Sequence, residues 1–336
     1  MKLELIKFGK GTKYDITQAC ARIVWSGSAA QAGRSVDFDY TNAPFDKTLK
    51  LPEVTAGDFL SLIDDKEGEI FFGQIFDVER SSQIGTITYQ ARDAMIHLLK
   101  SKASYNFKNI TPEAIAEQVC ADAQVPVRYL YPTGFNIASM LCDKMSLHDV
   151  IMAAYTKAYK SSGLRFFPMI YKRGFAVYST VWTVNNFVLS DAANIFQSDF
   201  TESSNKLVNR VKIYDEKGAQ IGEVQDEDSV KAFGVFQEAY SQEKNVDATT
   251  AAKKLLSVAP QQTVNISAIG DINCLSCYFV QVKDAATGLS GKYWISSDTH
   301  TWENGTYKMD LELKFDSIMK EVESTKEKEE TKETTT

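Results

Sequence analysis

No stretch of the 336 residues keeps about 18 apolar side chains together, which excludes a transmembrane helix and with it membrane insertion by that route. The opening Met1-Lys2-Leu3-Glu4-Leu5-Ile6-Lys7 is charged throughout and lacks the apolar core and cleavage site of a signal peptide, so synthesis in a bacterial cytoplasm is expected. Positive charge is also short. With 37 basic against 44 acidic side chains the net charge is −7, and no basic stripe stands out. A chain that grips phosphates needs a dense positive face, so specific nucleic-acid binding is not expected. The five cysteines, Cys20, Cys120, Cys142, Cys274 and Cys277, are odd in number and scattered, which reads as reduced thiols rather than a disulfide framework. Three histidines, His97, His148 and His300, include no two at metal-ligand spacing and none in an H-E-x-x-H motif. A G-x-S-x-G elbow, a P-loop and a Rossmann glycine pattern are all missing.

What is present is the composition of a folded protein, 44% apolar and 24% charged, with length for two or three domains. Residues 1–100 alternate in the period of strands: Arg22-Ile23-Val24-Trp25, Ser35-Val36-Asp37-Phe38-Asp39-Tyr40, Ile70 to Phe76, and Thr86-Ile87-Thr88-Tyr89. Turn formers separate them at Ser26-Gly27, Asn42-Ala43-Pro44 and Lys66-Glu67-Gly68, predicting a small antiparallel barrel or sandwich. In residues 101–200 the period changes to 3.6. Thr111 caps a helix beginning at Pro112, and Ser146 with Asp149 caps a second one carrying Val150, Ile151, Ala154 and Ala158 on one face. The strands Arg165-Phe166-Phe167 and Phe175-Ala176-Val177-Tyr178 complete an α/β middle domain. Residues 201–317 return to strands, with a short helix around 229–233 stopped by Gly234 and a longer one around 248–258. Residues 318–336 are almost all Lys, Glu, Thr and Ser, and a solvated tail is expected there.

The first and third segments share an order. Gly57-Asp58 precedes a strand, a second strand follows at 70–79, and Gly85-Thr86-Ile87-Thr88-Tyr89 starts a third. Gly270-Asp271, the strand at 292–301 and Gly305-Thr306-Tyr307-Lys308-Met309 repeat that order near the other end. A mere likeness among antiparallel meanders is the plain alternative to a true duplication.

Few residues carry candidate chemistry. Cys274-Leu275-Ser276-Cys277 has C-x-x-C spacing, but a structural zinc site needs two further ligands and a redox pair needs a helix N-terminus; neither is evident, so buried thiols are expected. His148 falls in a first helical turn, where an exposed polar residue is ordinary. The acidic clusters Asp64-Asp65 and Asp226-Glu227-Asp228 read as a turn and a helix start rather than as a glycosidase pair. The 19 Phe, 15 Tyr and 4 Trp interleave with strands and read mainly as cross-strand and core residues. No catalytic, cofactor-binding or metal-binding residue is assigned, and no cofactor is expected.

Val24-Trp25-Ser26-Gly27 with Ala32-Gly33-Arg34, the run Phe71-Phe72-Gly73-Gln74-Ile75-Phe76, and Tyr89-Gln90-Ala91-Arg92-Asp93 resemble one known family. So do Thr111-Pro112-Glu113-Ala114-Ile115, Ser229-Val230-Lys231-Ala232-Phe233-Gly234 and Asp298-Thr299-His300-Thr301, in the same order. That family is the PBSX-type, XkdQ/YqbQ-like hub proteins of phage tails and tail-like contractile particles, and the resemblance covers about residues 5 to 316. It implies an α+β, mainly β fold with two tube-like antiparallel β-barrels flanking an α/β insert. It further implies a non-enzymatic homotrimer that joins a hexameric tail tube to a trimeric central spike, beside other baseplate proteins and possibly the tape measure. A tail-associated cell-wall hydrolase and a glycan-binding β-module are the alternatives. Whether the particle carries DNA or is a headless bactericidal device is not legible in the sequence.

Overall fold

A computed structural model describes the chain except for residues 31–32, 180–182, 243–246, 316, 318 and 326–336. By internal contacts it divides into one unit of residues 1–198 with 265–324 and a second built on residues 199–264.

The larger unit begins with seven strands: β1 Lys2–Ile6, β2 Lys13–Asp15, β3 Cys20–Ser28, β4 Arg34–Asn42, β5 Phe59–Asp64, β6 Gly68–Ile75 and β7 Gly85–Arg92. They pair in the order β3-β4-β7-β6-β5-β1-β2, all antiparallel. Their alternation buries Leu3 and Leu5, Ile23 and Trp25, and Val36, Phe38 and Tyr40 on one face. The expected turn at Ser26-Gly27 is absent, because both residues lie inside β3. The physical reason is a neighbour that needs the space of a missing side chain, described below.

A helix α1, Met95–Lys100, leads into the middle module: β8 Lys102–Ile110, α2 Pro112–Asp122, β9 Val127–Leu130, β10 Ile137–Ser146, α3 Leu147–Ser162, β11 Phe166–Tyr171 and β12 Gly174–Ser179. Both expected caps form. Thr111 Oγ1 accepts from the Ala114 amide at 3.3 Å and Ser146 Oγ from the Asp149 amide at 3.0 Å, and α3 ends on the left-handed Gly163. Ile115 and Val119 of α2, Val150, Ile151, Ala154 and Tyr155 of α3, and Phe166 and Phe175 of the adjoining hairpin form one core. α3 is buried well beyond the expected apolar face, since Leu147, His148, Met152, Ala153 and Thr156 are buried too.

The cause lies at the other end of the chain. Arg165 Nη1 donates to Ser317 Oγ at 3.1 Å, the Phe166 amide to Met319 Sδ at 3.3 Å, Lys320 Nζ to Asp149 Oδ1 at 2.9 Å and the Val322 amide to Thr156 Oγ1 at 3.0 Å. The expected solvated tail is therefore corrected over 319–324, which forms a strap against α3 with Met319 and Ser324 buried. The remainder of that expectation, residues 326–336, falls outside the described residues.

β13 Thr183–Ser190 and β14 Ile195–Ser203 follow. The smaller unit contains β15 Arg210–Tyr214, β16 Gln220–Gln225, α4 Glu227–Phe233, β17 Gln237–Ser241 and α5 Ala248–Leu255. β15 pairs antiparallel with β16 and parallel with β17. Val211, Ile213 and Ala252 are its buried apolar core. Asp226 caps α4 by accepting from the Ser229 amide at 2.8 Å, and Gly234 stops it at φ +81°.

β18 Gln261–Ile269, β19 Phe279–Asp284, β20 Leu289–Glu303 and β21 Thr306–Lys314 follow. β19, β20 and β21 form an antiparallel meander, as β5, β6 and β7 do. The repeated order seen in the sequence is thus present as two three-stranded meanders. They belong to one sheet, because β20 pairs along β3 from Ser297–Ser28 to Glu303–Arg22. The protein is mainly β, as expected, and in its larger unit β1 to β7 share one sheet with β19 to β21.

Candidate functional site

The sequence motifs converge at that seam. In the β4-β3-β20 register, Arg34 lies opposite Gly27 and Gly27 opposite Asp298. A Cβ at position 27 would overlap the Arg34 guanidinium. With only hydrogen there, Arg34 crosses the middle strand and meets Asp298 in a two-pronged ion pair, Nη1 to Oδ1 at 3.0 Å and Nη2 to Oδ2. Asp298 also accepts from the Ser276 amide at 2.6 Å. Trp25, two residues before Gly27, puts its ring 4.1 Å from the guanidinium carbon.

His300 is fully buried in the same cluster. Its Nε2 donates to the Cys274 carbonyl at 3.2 Å and lies 3.2 Å from Asp298 Oδ2, while Nδ1 faces the Tyr307 hydroxyl at 2.9 Å. On the other side of Arg34, the Asp93 carboxylate accepts from the Arg34 amide at 2.9 Å and the Met95 amide at 3.0 Å. The two carboxyls are driven apart. Asp298 is held well below the usual carboxylate range because the paired Arg34 and the His300 contact outweigh a large burial penalty. Burial dominates at Asp93 and pushes it up to about 7, against its two amide hydrogen bonds and the nearby Arg34.

A cavity of about 100 Å³ adjoins the cluster, lined by Trp25, Arg34, Ile70, Tyr171, Leu275 and Cys277 among others. At its rim Arg173 binds Glu69 through two nitrogens and lies 3.8 Å from the Phe72 ring centre, fastening the β11–β12 turn to β6. Arg34, Asp298 and His300 are thus each committed to a buried partner. Structurally the arrangement is a lock: it holds three strands and a loop in register.

The other candidates separate from this cluster or join it structurally. Cys274 and Cys277 lie in its wall; burial raises both thiols, Cys277 to about 12, which removes thiolate reactivity at neutral pH. Among the described residues no group of three His, Cys, Asp or Glu side chains is placed to hold a metal. His148, expected at the surface, is buried, with Nδ1 3.4 Å from Asp149 Oδ1, because α3 packs on all sides. His97 edges the Phe76 ring at 6.2 Å. Asp64 accepts from the Lys66 and Glu67 amides in the β5–β6 turn and Asp65 binds the Met1 amino group, so those acids serve backbone and terminus. Ala32 of the quoted motif lies outside the described residues.

The profile of the YQBQ-like family matches residues 23–314. The chain belongs to that family. A relative of this YQBQ-like chain, the phage-like element PBSX protein XkdQ of Bacillus subtilis (strain 168), is 25% identical over 315 residues, 88% of this chain and 92% of its own. Among solved structures, the prophage MuSo2 43 kDa tail protein from Shewanella oneidensis superposes with a TM-score of 0.70 at 15% identity, covering 94% of this chain and 98% of that one. An E. coli protein, c3393, described as a type VI secretion component similar to the T4 tail proteins gp27 and gp5, gives 0.53 at 9% identity, over 89% and 74%. These likenesses establish the fold as one shared with phage tail proteins. Some of the motifs that carried the resemblance supply parts of the seam lock, namely Trp25, Gly27, Arg34, Asp93, Asp298 and His300.

Proposed function

We propose that the protein is the structural hub of a phage tail or tail-like contractile particle, a homotrimer that joins a hexameric tail tube to a trimeric central spike. The observation that carries this reading is the pair of three-stranded meanders, β5 to β7 and β19 to β21, built into one sheet of one chain. Three such chains place six meanders around an axis, so a threefold object meets a sixfold one. Family membership and the likeness to a tail protein support the setting, and the description of c3393 as similar to gp27 and gp5 supports a place beside a spike. Closed rings also protect sheet edges that a single chain leaves open.

The hub acts mechanically on this reading. Obligate interfaces of roughly 2,000 Å² or more hold the tube, spike and other baseplate proteins, and no bond is made or broken. Microscopy of intact particles tests it: three copies at the tube–spike junction are expected, and absence from that junction overturns the proposal. A clear zone on peptidoglycan zymograms, abolished by changing one acid, would replace the hub with a hydrolase.

A further inference from the structure

The cavity beside the seam lock contains two donors that the lock leaves unused. Trp25, 2% exposed, and Arg34 both line it, and the Trp25 Nε1 and Arg34 Nε atoms are buried with no hydrogen-bond partner. Arg34 gives its two terminal nitrogens to Asp298, so Nε is the part of the guanidinium left over. No buried side-chain acceptor of the same wall lacks a partner among the described residues. A buried donor without a partner is costly, and two of them beside one cavity call for an oxygen that accepts twice. A carbonyl oxygen does so and donates nothing. Water also accepts twice, but it brings two hydrogens for which that wall holds no waiting acceptor.

Size and charge narrow the occupant further. The volume of about 100 Å³ exceeds the roughly 10–15 Å³ that one water needs and approaches the roughly 150 Å³ of an apolar cavity that takes benzene. Ile70, Met169, Tyr171 and Leu275 supply apolar wall for such a body. The charged lining residues balance, Arg34 and Lys172 against Glu67 and Glu69, and Arg34 is already neutralised by Asp298. A carboxylate at the two donors would lose its hydration without gaining a free guanidinium, so a neutral oxygen is favoured. The outer wall is preset. Lys172 and Arg173 are the two loop residues of the β11–β12 hairpin, at φ +45° and +67°, where Asn-Gly is the preferred pair. Two long cationic side chains there carry backbone strain of the kind found at ligand clamps. The Arg173 pair with Glu69 and its contact with Phe72 hold the turn in that shape, which lowers the entropy lost when a ligand enters.

We infer that this cavity binds a neutral small molecule, a compact apolar body whose carbonyl oxygen accepts from Trp25 Nε1 and Arg34 Nε. The site does not depend on the hub reading and stands if that reading fails. Titration of the full chain, labelled with ¹⁵N at its four tryptophan indoles, with cyclopentanone tests it. The Trp25 indole resonance, assigned by its loss in Trp25→Phe, is expected to shift saturably and further than the other three. Cyclopentanecarboxylate is expected to bind at least about tenfold more weakly. Leu275→Phe, which narrows the cavity and alters neither donor, is expected to weaken cyclopentanone binding by about tenfold, with thermal melting as the check that the variant is folded. A Trp25 resonance that does not shift up to the highest soluble ketone concentration overturns the inference and leaves water as the occupant. Carboxylate binding as tight as that of the ketone overturns it too, as does a folded Leu275→Phe variant with wild-type affinity.

Discussion

Arg34 and Asp298 stand 264 positions apart in the chain and form a buried two-pronged ion pair across a glycine. Neither side chain reaches the other along its own strand; the contact exists because β3 lies between β4 and β20 and is hollow at Gly27. The pair ties the first β-module to the last, which is the joint on which the duplicated sheet depends.

Removing one partner is therefore expected to cost more than removing a surface bridge. Arg34→Ala leaves Asp298 buried and uncompensated, a loss of about 3–5 kcal/mol. Gly27→Ala keeps both charges and obstructs their meeting, a loss of about 1–3 kcal/mol. Urea denaturation of the two variants checks the order; equal stability of Arg34→Ala and wild type would refute the lock.

The two carboxyls beside Arg34 act on stability in opposite directions. Asp93 sits near 7 folded and about 3.9 unfolded. The folded state then binds the extra proton between those values, so Asp93 makes the protein less stable as pH rises from about 4 to 7. Asp298 is depressed, so its contribution is full above about 3.9 and disappears as pH falls below that value. Asp93→Asn is expected to flatten the decline between about pH 4 and 7. The slope of stability against pH is the readout, since Asn also alters the bonds from the Arg34 and Met95 amides. An unchanged slope would remove Asp93 from the account.

How much of this was legible depended on whether the information was local. The caps at Thr111 and Ser146, the left-handed Gly163 and the meander order lie in a few adjacent residues, and the sequence shows them directly. Gly27 misled because a Ser-Gly pair marks turns far more often than it accommodates an arginine from the next strand. Trp25, Arg34, Asp93, Asp298 and His300 were visible as motif letters, but only strand register brings them together. Strand β8 was missed although Ala103, Tyr105 and Phe107 alternate with Lys102, Ser104 and Asn106, because most of its positions are exposed and only Phe107 is fully apolar and buried. The strap at 319–324 was hidden because a mostly polar segment gains its partners from a helix, at positions 171 and 166 residues away.

That strap gives a further expectation. Met319 and Val322 pack on the α2–α3 core, and Lys320 and the Val322 amide bind Asp149 and Thr156. Met319→Ala, at a mostly buried site, is expected to cost about 2 kcal/mol, the low end for such truncations. Proteolysis or amide exchange should show the loss at 147–162 first, because the strap covers that helix. Protection of α3 identical to wild type would mean the strap is not part of the folded core.

Among its described residues the smaller unit has five buried apolar side chains, Leu207, Val211, Ile213, Ala252 and Val264, and it relies on one amide for its loops. Asn209, fully buried, donates to the Gly234 carbonyl at 2.7 Å and accepts from the Phe236 amide at 2.8 Å. Its own backbone accepts from Asp226, so a single residue fixes both ends of α4. Asn209→Ala removes both bonds, and because Gly234 and Phe236 are exposed and water can take up the freed carbonyl and amide, the expected loss is about 1 kcal/mol for each bond. The effect should stay local: faster amide exchange over 226–241, with the strands around Arg34 and Asp298 protected as before. Exchange that rises equally through both units would show that residues 199–264 do not fold as a unit of their own.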